Sequence, residues 1–389
     1  MKNNHQHNCE IVLIVSVLSI LMAPSVCKFL GIEPHPIKGD RVAFLSSQKK
    51  AESSWEGFKV RLSSDYGLRG SLLNANGLLE ERLIKTNQNG VMFGKEDWKF
   101  MNREGLLEYT QRLEPLTPIG IENVLQQLQI NLSICKQYGV DYVRVIAPEK
   151  STIYPEYLPI WVQPAFSESR FEQLLATQSS VIYTVLPDTR IQLLNVKMDY
   201  QVYFKADSHW NSRGAVATLN TIYNHLNTVG LHDYPFIEWD AFEEKCYSME
   251  PDLYRFMGLF SGYEAIDCLP NFPHFKENTI VYNFPEQVLS EHARFPRTLL
   301  DYSENFRYTT YAWNPEERVR DRRVVLVGDS FAEYLPPLLK HHFSEVIFIH
   351  ERELPIPEKW LERFEPQLLI ELSAERKLLS PPQKLISTS

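Results

Sequence analysis

With 389 residues, 44% of them hydrophobic and 12% aromatic, the chain has ample apolar material for one large domain or two ordinary ones, which excludes an intrinsically disordered protein. The formal charge is -9, and no long Lys/Arg cluster interrupts it, so a nucleic-acid-binding surface is excluded as the main function.

Residues Ile11 to Cys27 carry no charged side chain, Lys28 ends the run, and Phe29 to Ile32 prolong its apolar character. Such a run is long for a signal-peptide core and slightly short for a bilayer span. Residues 1–32 are therefore expected to form an N-terminal membrane anchor helix, with cleavage after a small residue such as Ala23 as the alternative. Glu33 to Asp40 holds two prolines and a glycine and reads as part of a linker over 33–52. One domain is expected over 53–389.

That domain opens with a helical segment at Ser53 to Ser63. The stretch from Val91 to Phe100 suggests a hairpin turning at Gly94 to Asp97. Ile121, Val124, Leu125, Leu128, Leu132 and Cys135 recur at helical spacing, and Val140 to Ile146 follows as a buried strand. Phe171 to Ala176 reads as a helix and Val181 to Val185 as a strand. Ala215, Leu219, Ile222 and Leu226 mark a further helix. Between about 230 and 317 the pattern dissolves and reads as an irregular insertion near the active-site face. Order then returns: strand Val324 to Val327, helix Leu338 to Phe343, strand Val346 to Ile349, helix Pro357 to Phe364, strand Leu368 to Leu372. Alternation of this kind implies an α/β fold of three layers, a mostly parallel sheet with helices on both faces. Of the five cysteines, Cys9 and Cys27 flank the apolar run, Cys135 falls on a helix's apolar face, and Cys246 and Cys268 can pair in an oxidising compartment.

Two tetrapeptides carry chemistry. Gly328-Asp329-Ser330-Phe331 places a serine just past a buried strand, where doubly wound folds bind ligands. Pro336 and Pro337 suit the first turn of the following helix, so Ser330 precedes that helix by several residues. Asp207-Ser208-His209-Trp210 sets a carboxylate two positions from an imidazole, and in an extended segment both project from one face. A hydroxyl, an imidazole and a carboxylate are what serine acyl transfer requires. Trp210 either walls the pocket or fills space, Ser212 reads as a helix N-cap and Asp329 as a turn former. A metal site joining Asp207 and His209 to His341, His342 or His350 is the competing reading, but no third ligand has convincing spacing, and no metal or cofactor is expected.

At these residues the chain resembles the SGNH-hydrolase-like domain of alginate O-acetyltransferases of the AlgJ and AlgX type. The likeness includes Phe58 to Arg69, Gly94 to Phe100 around Trp98, Pro148 to Tyr154, Tyr203 to Asn211 with Gly214, Gly328 to Phe331, and Glu375-Arg376. The resemblance implies Ser330 as nucleophile, His209 as general base and Asp207 as its orienter, with Asp and His preceding Ser along the chain. The chain ends soon after Arg376 and looks like the anchored, single-domain AlgJ kind. Its acidity makes another secreted glycan as good an acceptor as alginate. The expectation is an inner-membrane-anchored, periplasmic or extracytoplasmic enzyme that passes acetyl groups to a polysaccharide, with the donor supplied by a membrane-bound O-acyltransferase. A carbohydrate acetylesterase using the same triad and a non-catalytic exopolysaccharide assembly protein are the alternatives. Lys150, Tyr154, Trp210 and Tyr334 are candidate pocket residues, each with a packing role as the competing reading.

Overall fold

The computed structural model describes residues 15–19, 22–32, 68–84, 90–164, 168–230, 234–259, 262–270, 279–282, 309–313, 322–350 and 358–379. The predicted linker at 33–52, the helix expected at Ser53 to Ser63 and most of the Phe58 to Arg69 motif lie outside the described residues. The chain divides into two compact units, Met1–Met92 with Glu250–Glu264, and Phe93–Met249 with Ala265–Ser389. In the smaller unit residues 15–19 and 22–30 are helical, with Val15, Leu18 and Phe29 exposed. Among the described residues no helix is long and apolar enough to cross a membrane.

The larger unit is built on a six-stranded sheet. Helix α1 (Pro118–Gln137) starts at Thr117, whose side chain accepts from the Gly120 N–H, with proline in its first turn. Just past its end lies Gly139, whose φ of +68° is a left-handed value that favours glycine. Strand β1 (Asp141–Ala147) follows and leads into the short helix α2 (Lys150–Ile153). Next come α3 (Ser180–Val185) and α4 (Ser212–Thr228). The stretch without sustained periodicity supplies an antiparallel ribbon, β2 (Glu244–Met249) with β3 (Ala265–Pro270), and two strands of the main sheet, β4 (Thr279–Tyr282) and β5 (Thr309–Trp313). Strands this short show little period, which is why the stretch reads as irregular. The last third gives β6 (Arg323–Gly328), α5 (Pro336–Leu339), β7 (Glu345–His350), α6 (Glu358–Phe364) and β8 (Leu368–Ala374).

The sheet order is β1-β8-β6-β7-β5-β4. The first four strands are parallel, with Ile370 opposite both Val143 and Leu326, and Val325 opposite Ile347. β5 and β4 add an antiparallel edge. Alternate side chains serve the two faces. Tyr142, Ile146, Val325, Val327, Ile347 and Leu369 pack with Leu128, Leu132 and Cys135 of α1 and with Trp360 and Leu361 of α6. Val143, Val145, Val324 and Leu326 point the other way and are equally buried, and α4 packs against β1. The expected mostly parallel sheet with helices on both faces is what forms.

Two local expectations fail. Val181 to Val185 is helical, part of α3, and not a strand: its Val181, Ile182 and Val185 pack into the cluster beneath the sheet. A short apolar run cannot by itself decide between helix and strand, and tertiary packing decides here. The helix expected at Leu338 to Phe343 is instead the four-residue α5, started by Pro336, after which the chain turns into β7.

Candidate active site

The parallel strands β1, β8 and β6 end side by side, and the turns leaving them build the site. β6 ends at Gly328, where an added Cβ would lie 2.5 Å from the Ala332 Cβ and 2.8 Å from the Leu372 carbonyl oxygen, so only glycine fits. Asp329 is buried and shapes the turn: one carboxylate oxygen accepts the Phe331 N–H at 3.1 Å, the other the Ala374 N–H at 2.8 Å, joining the ends of β6 and β8. Ser330 stands half-buried at the tip. A 3-10 turn, Ala332–Tyr334, separates it from α5, as the prolines imply.

The second loop comes from the chain before α4. Tyr203 and Trp210 form an antiparallel bridge that closes a bend over residues 205–209. The segment is therefore not extended, as the spacing argument requires. Asp207 reaches His209 through an Asx turn, Oδ1 accepting the His209 backbone N–H at 3.0 Å and lying 2.7 Å from His209 Nδ1. The other ring nitrogen, Nε2, is 2.7 Å from Ser330 Oγ. Carboxylate, imidazole and hydroxyl thus form one hydrogen-bonded line between two loops 121 residues apart. The Asp207 side chain is 3% exposed and that of His209 15%, so the relay runs from interior to surface.

Four residues marked for a pocket take different places. Trp210 is fully buried; its Nε1–H donates to the Phe331 carbonyl at 3.1 Å and its ring meets Phe331 edge-on, locking the histidine loop to the serine turn. Lys150 is also buried, and its ammonium donates to the backbone carbonyls of Phe204, Lys205 and Asp207 at 3.0, 3.2 and 2.7 Å. It cradles the loop that presents His209. Tyr154 is buried, accepts the Val202 N–H at 3.0 Å and packs on Trp98 with centroids 4.3 Å apart. Tyr334 is half-buried, its ring 6.1 Å from that of His209, and it is the one of the four beside the reacting line and open to solvent.

Behind these loops a buried polar network fixes α2. Glu375 accepts from Tyr109 Oη at 2.6 Å, Thr152 Oγ1 at 2.6 Å and the Glu149 N–H at 2.9 Å. Glu149 in turn pairs with Arg376 Nη1 at 2.7 Å, and Arg376 Nε reaches Glu104 at 3.0 Å. Burial, helped by the neighbouring Glu149 charge, raises the Glu375 pKa despite those donors. The Pro148 to Tyr154 and Glu375-Arg376 motifs thus form a support for the histidine loop.

Ser212 is not an N-cap. Asn211 occupies that position, accepting the Gly214 N–H at 3.0 Å, while Ser212 is the first helical residue and its hydroxyl donates to Asp267 at 2.6 Å. Asp267 gave no sequence signal, because its partner lies 55 residues away and the intervening chain lacks a period. Cys246 and Cys268 are disulfide-bonded across β2 and β3, and Cys135 is a buried free thiol. In the competing metal reading, His342 Nδ1 is instead 3.0 Å from Tyr223 Oη, and the side chain of His350 lies outside those described. A cavity of about 480 Å³, lined among others by Ser151, Thr152, Leu158, Arg190 and Leu194, shares no residue with the Asp207, His209 and Ser330 line.

Residues 91–262 match the family described as SGNH hydrolase-like domain, acetyltransferase AlgX. A probable alginate O-acetylase AlgJ of Pseudomonas aeruginosa is 23% identical over 185 residues, 46% of this chain and 44% of that protein. One from Pseudomonas fluorescens is 28% identical over 140 residues, 35% of this chain and 33% of that protein. The chain spans less than half the length of the curated relatives it matches. Among solved structures, the O-acetyltransferase domain of Pseudomonas putida AlgJ gives a TM-score of 0.45 at 19% identity, covering 77% of this chain and 95% of that one. The family match includes the histidine loop and α2 but stops short of Ser330. Residues 91–262 are thus similar to the AlgX-type SGNH hydrolase-like domain, the family whose motifs the chain resembles.

Proposed function

We propose that the protein is a polysaccharide O-acetyltransferase that works through an acetyl-serine intermediate on Ser330. The observation that carries this reading is the hydrogen-bonded line from Asp207 through His209 to Ser330, with both links at 2.7 Å. In the first half-reaction His209 Nε2 takes the Ser330 proton as Oγ attacks the acetyl carbonyl of the donor, and the proton passes to the departing group. In the second, a sugar hydroxyl gives its proton to His209 and attacks the acyl carbon, and Ser330 leaves with that proton. Asp207 keeps the imidazole in the tautomer with Nδ1–H and stabilises it when charged. The backbone N–H of Ser330 is the assigned oxyanion donor.

The acceptor is a secreted glycan, and the donor is passed across the membrane by a membrane-bound O-acyltransferase. The charge-free run from Ile11 to Cys27 anchors the chain to the inner membrane, with its catalytic part in the periplasm. The Cys246–Cys268 disulfide supports that placement, since such bonds persist in oxidising compartments. Ser330→Ala should abolish acetyl-enzyme formation, read by intact mass, and turnover of a chromogenic acetyl ester, while the melting temperature holds. Retained turnover in that variant ends the reading. Product analysis with and without a glycan acceptor then separates transfer from hydrolysis.

A further inference from the structure

The histidine loop is held at both ends by buried charged groups on different kinds of support. Upstream, Lys150 grips its carbonyls from α2, which the Glu149, Glu375 and Arg376 network fixes. Downstream, the loop passes through Trp210 and Asn211 into Ser212, and there Asp267 holds it. Asp267 Oδ1 accepts the backbone N–H groups of Ser212 and Cys268, both at 3.0 Å, and Oδ2 accepts from Ser212 Oγ at 2.6 Å and from Tyr247 Oη at 3.2 Å. The side chain is buried.

Asp267 lies on β3, which among the described residues pairs with β2 alone, in a two-stranded ribbon. A ribbon of this size is marginal on its own. Between its strands the chain runs through Glu250–Glu264, which groups with the smaller unit, so no tight turn joins them. Besides the ladder and the Tyr247–Asp267 hydrogen bond, the Cys246–Cys268 disulfide fastens them covalently, directly across the ladder and beside Asp267. Cys246 is exposed, so a thiol can reach the bond.

We propose that Asp267 is a positioning residue for His209 and that the Cys246–Cys268 disulfide holds it in place, so that reducing the bond slows acyl transfer. The proposal rests on the reading of Ser330 and His209 as the acyl-transfer pair. Reduction is ordinary exchange: one dithiol thiolate attacks a cysteine sulfur, the S–S bond breaks, and the second thiolate closes the reductant into its own disulfide, leaving two cysteine thiols. With the cross-link gone, Asp267 loses its fixed position, Ser212 its anchor, and His209 drifts from Ser330.

The experiment uses the full chain with dithiothreitol as reductant, removed after thiol alkylation, and reads chromogenic acetyl-ester turnover and the downfield NMR signal of the His209 Nδ1 proton. Both Asp267→Ala and the reduced wild type should lose about tenfold or more in kcat with KM little changed, and the downfield signal should broaden. Asp267→Asn should fall between, since its amide oxygen still accepts the Ser212 N–H. A Cys246→Ser/Cys268→Ser double variant should start slow and ignore the treatment. Reduced wild type with unchanged kcat and an unchanged Nδ1 signal overturns the proposal, as does full activity in Asp267→Ala; should that variant not fold, the reduced wild type decides alone. If the wild type lacks Ser330-dependent turnover, the acyl-transfer reading fails instead, and the Nδ1 signal still judges the positioning.

Discussion

Two clusters with buried carboxylates lie at the carboxyl edge of the sheet, and they differ in how they end. In one, Asp207 bonds His209, which bonds a half-buried Ser330. In the other, Glu375 and Glu149 are closed in by Tyr109, Thr152, a backbone N–H and the Arg376 guanidinium. Both are marked by sequence motifs, so motif strength does not tell chemistry from support. Connectivity does: the line to Ser330 stops at a half-buried residue at a strand tip, whereas every bond to Glu375 turns back into the protein. A buried polar group surrounded by partners rigidifies; one that passes its polarity outward can react.

The comparison breaks if the first cluster tolerates loss. His209→Ala and Asp207→Asn should each lower kcat for the acetyl ester by about 10³–10⁴ with little change in melting temperature. Activity within about tenfold of the wild type in either would remove the distinction. The second cluster should show the reverse pattern. Arg376→Met leaves Glu149 buried without its guanidinium partner and is expected to destabilise the fold by about 3–5 kcal/mol in urea titrations, while the folded fraction loses far less kcat than either change in the first cluster.

Lys150 sits between the two clusters and sharpens the contrast. Lys150→Met removes the donors to three loop carbonyls and should cut kcat by roughly 10- to 100-fold with KM little changed. Lys150→Arg should not restore it, because a planar fork cannot replace a compact ammonium among those oxygens; full recovery would mean that only positive charge matters there.

The smallest effect is on pH dependence. Burial raises the Glu375 pKa above its unfolded value, so the folded state holds that proton more tightly. The stability it contributes is complete below the unfolded pKa and is lost as pH rises through the folded value. Glu375→Gln cannot titrate, so its melting temperature should decline less than the wild type's as pH rises from the ordinary glutamate range. Parallel curves would show that the carboxyl titrates alike in both states.

Much of this arrangement is legible in the chain. The apolar β6 run followed by Gly328-Asp329-Ser330 announces a strand with a residue at its tip, and Pro336 marks where the next helix starts, because proline suits only a first turn. The α4 period at Ala215, Leu219, Ile222 and Leu226 is equally plain. The α3 run is not, since Val181, Ile182 and Val185 fit a strand until the sheet beneath them claims them as helix. Nor is the Asx turn at Asp207 foreseeable from an i, i+2 spacing, which an extended segment satisfies as well.

Sequence alone determined most of the alternation of helices and strands, the serine at the tip of β6, and the kinds of side chain available for acyl transfer, because these follow from local periodicity and turn chemistry. Only the tertiary structure decided which of those groups meet. The 2.7 Å approach of His209 to Ser330, the grip of Lys150 and the anchoring of Ser212 by Asp267 join positions 121, up to 57 and 55 residues apart. Meetings at such separations are set by how strands and helices pack, and no local pattern encodes that.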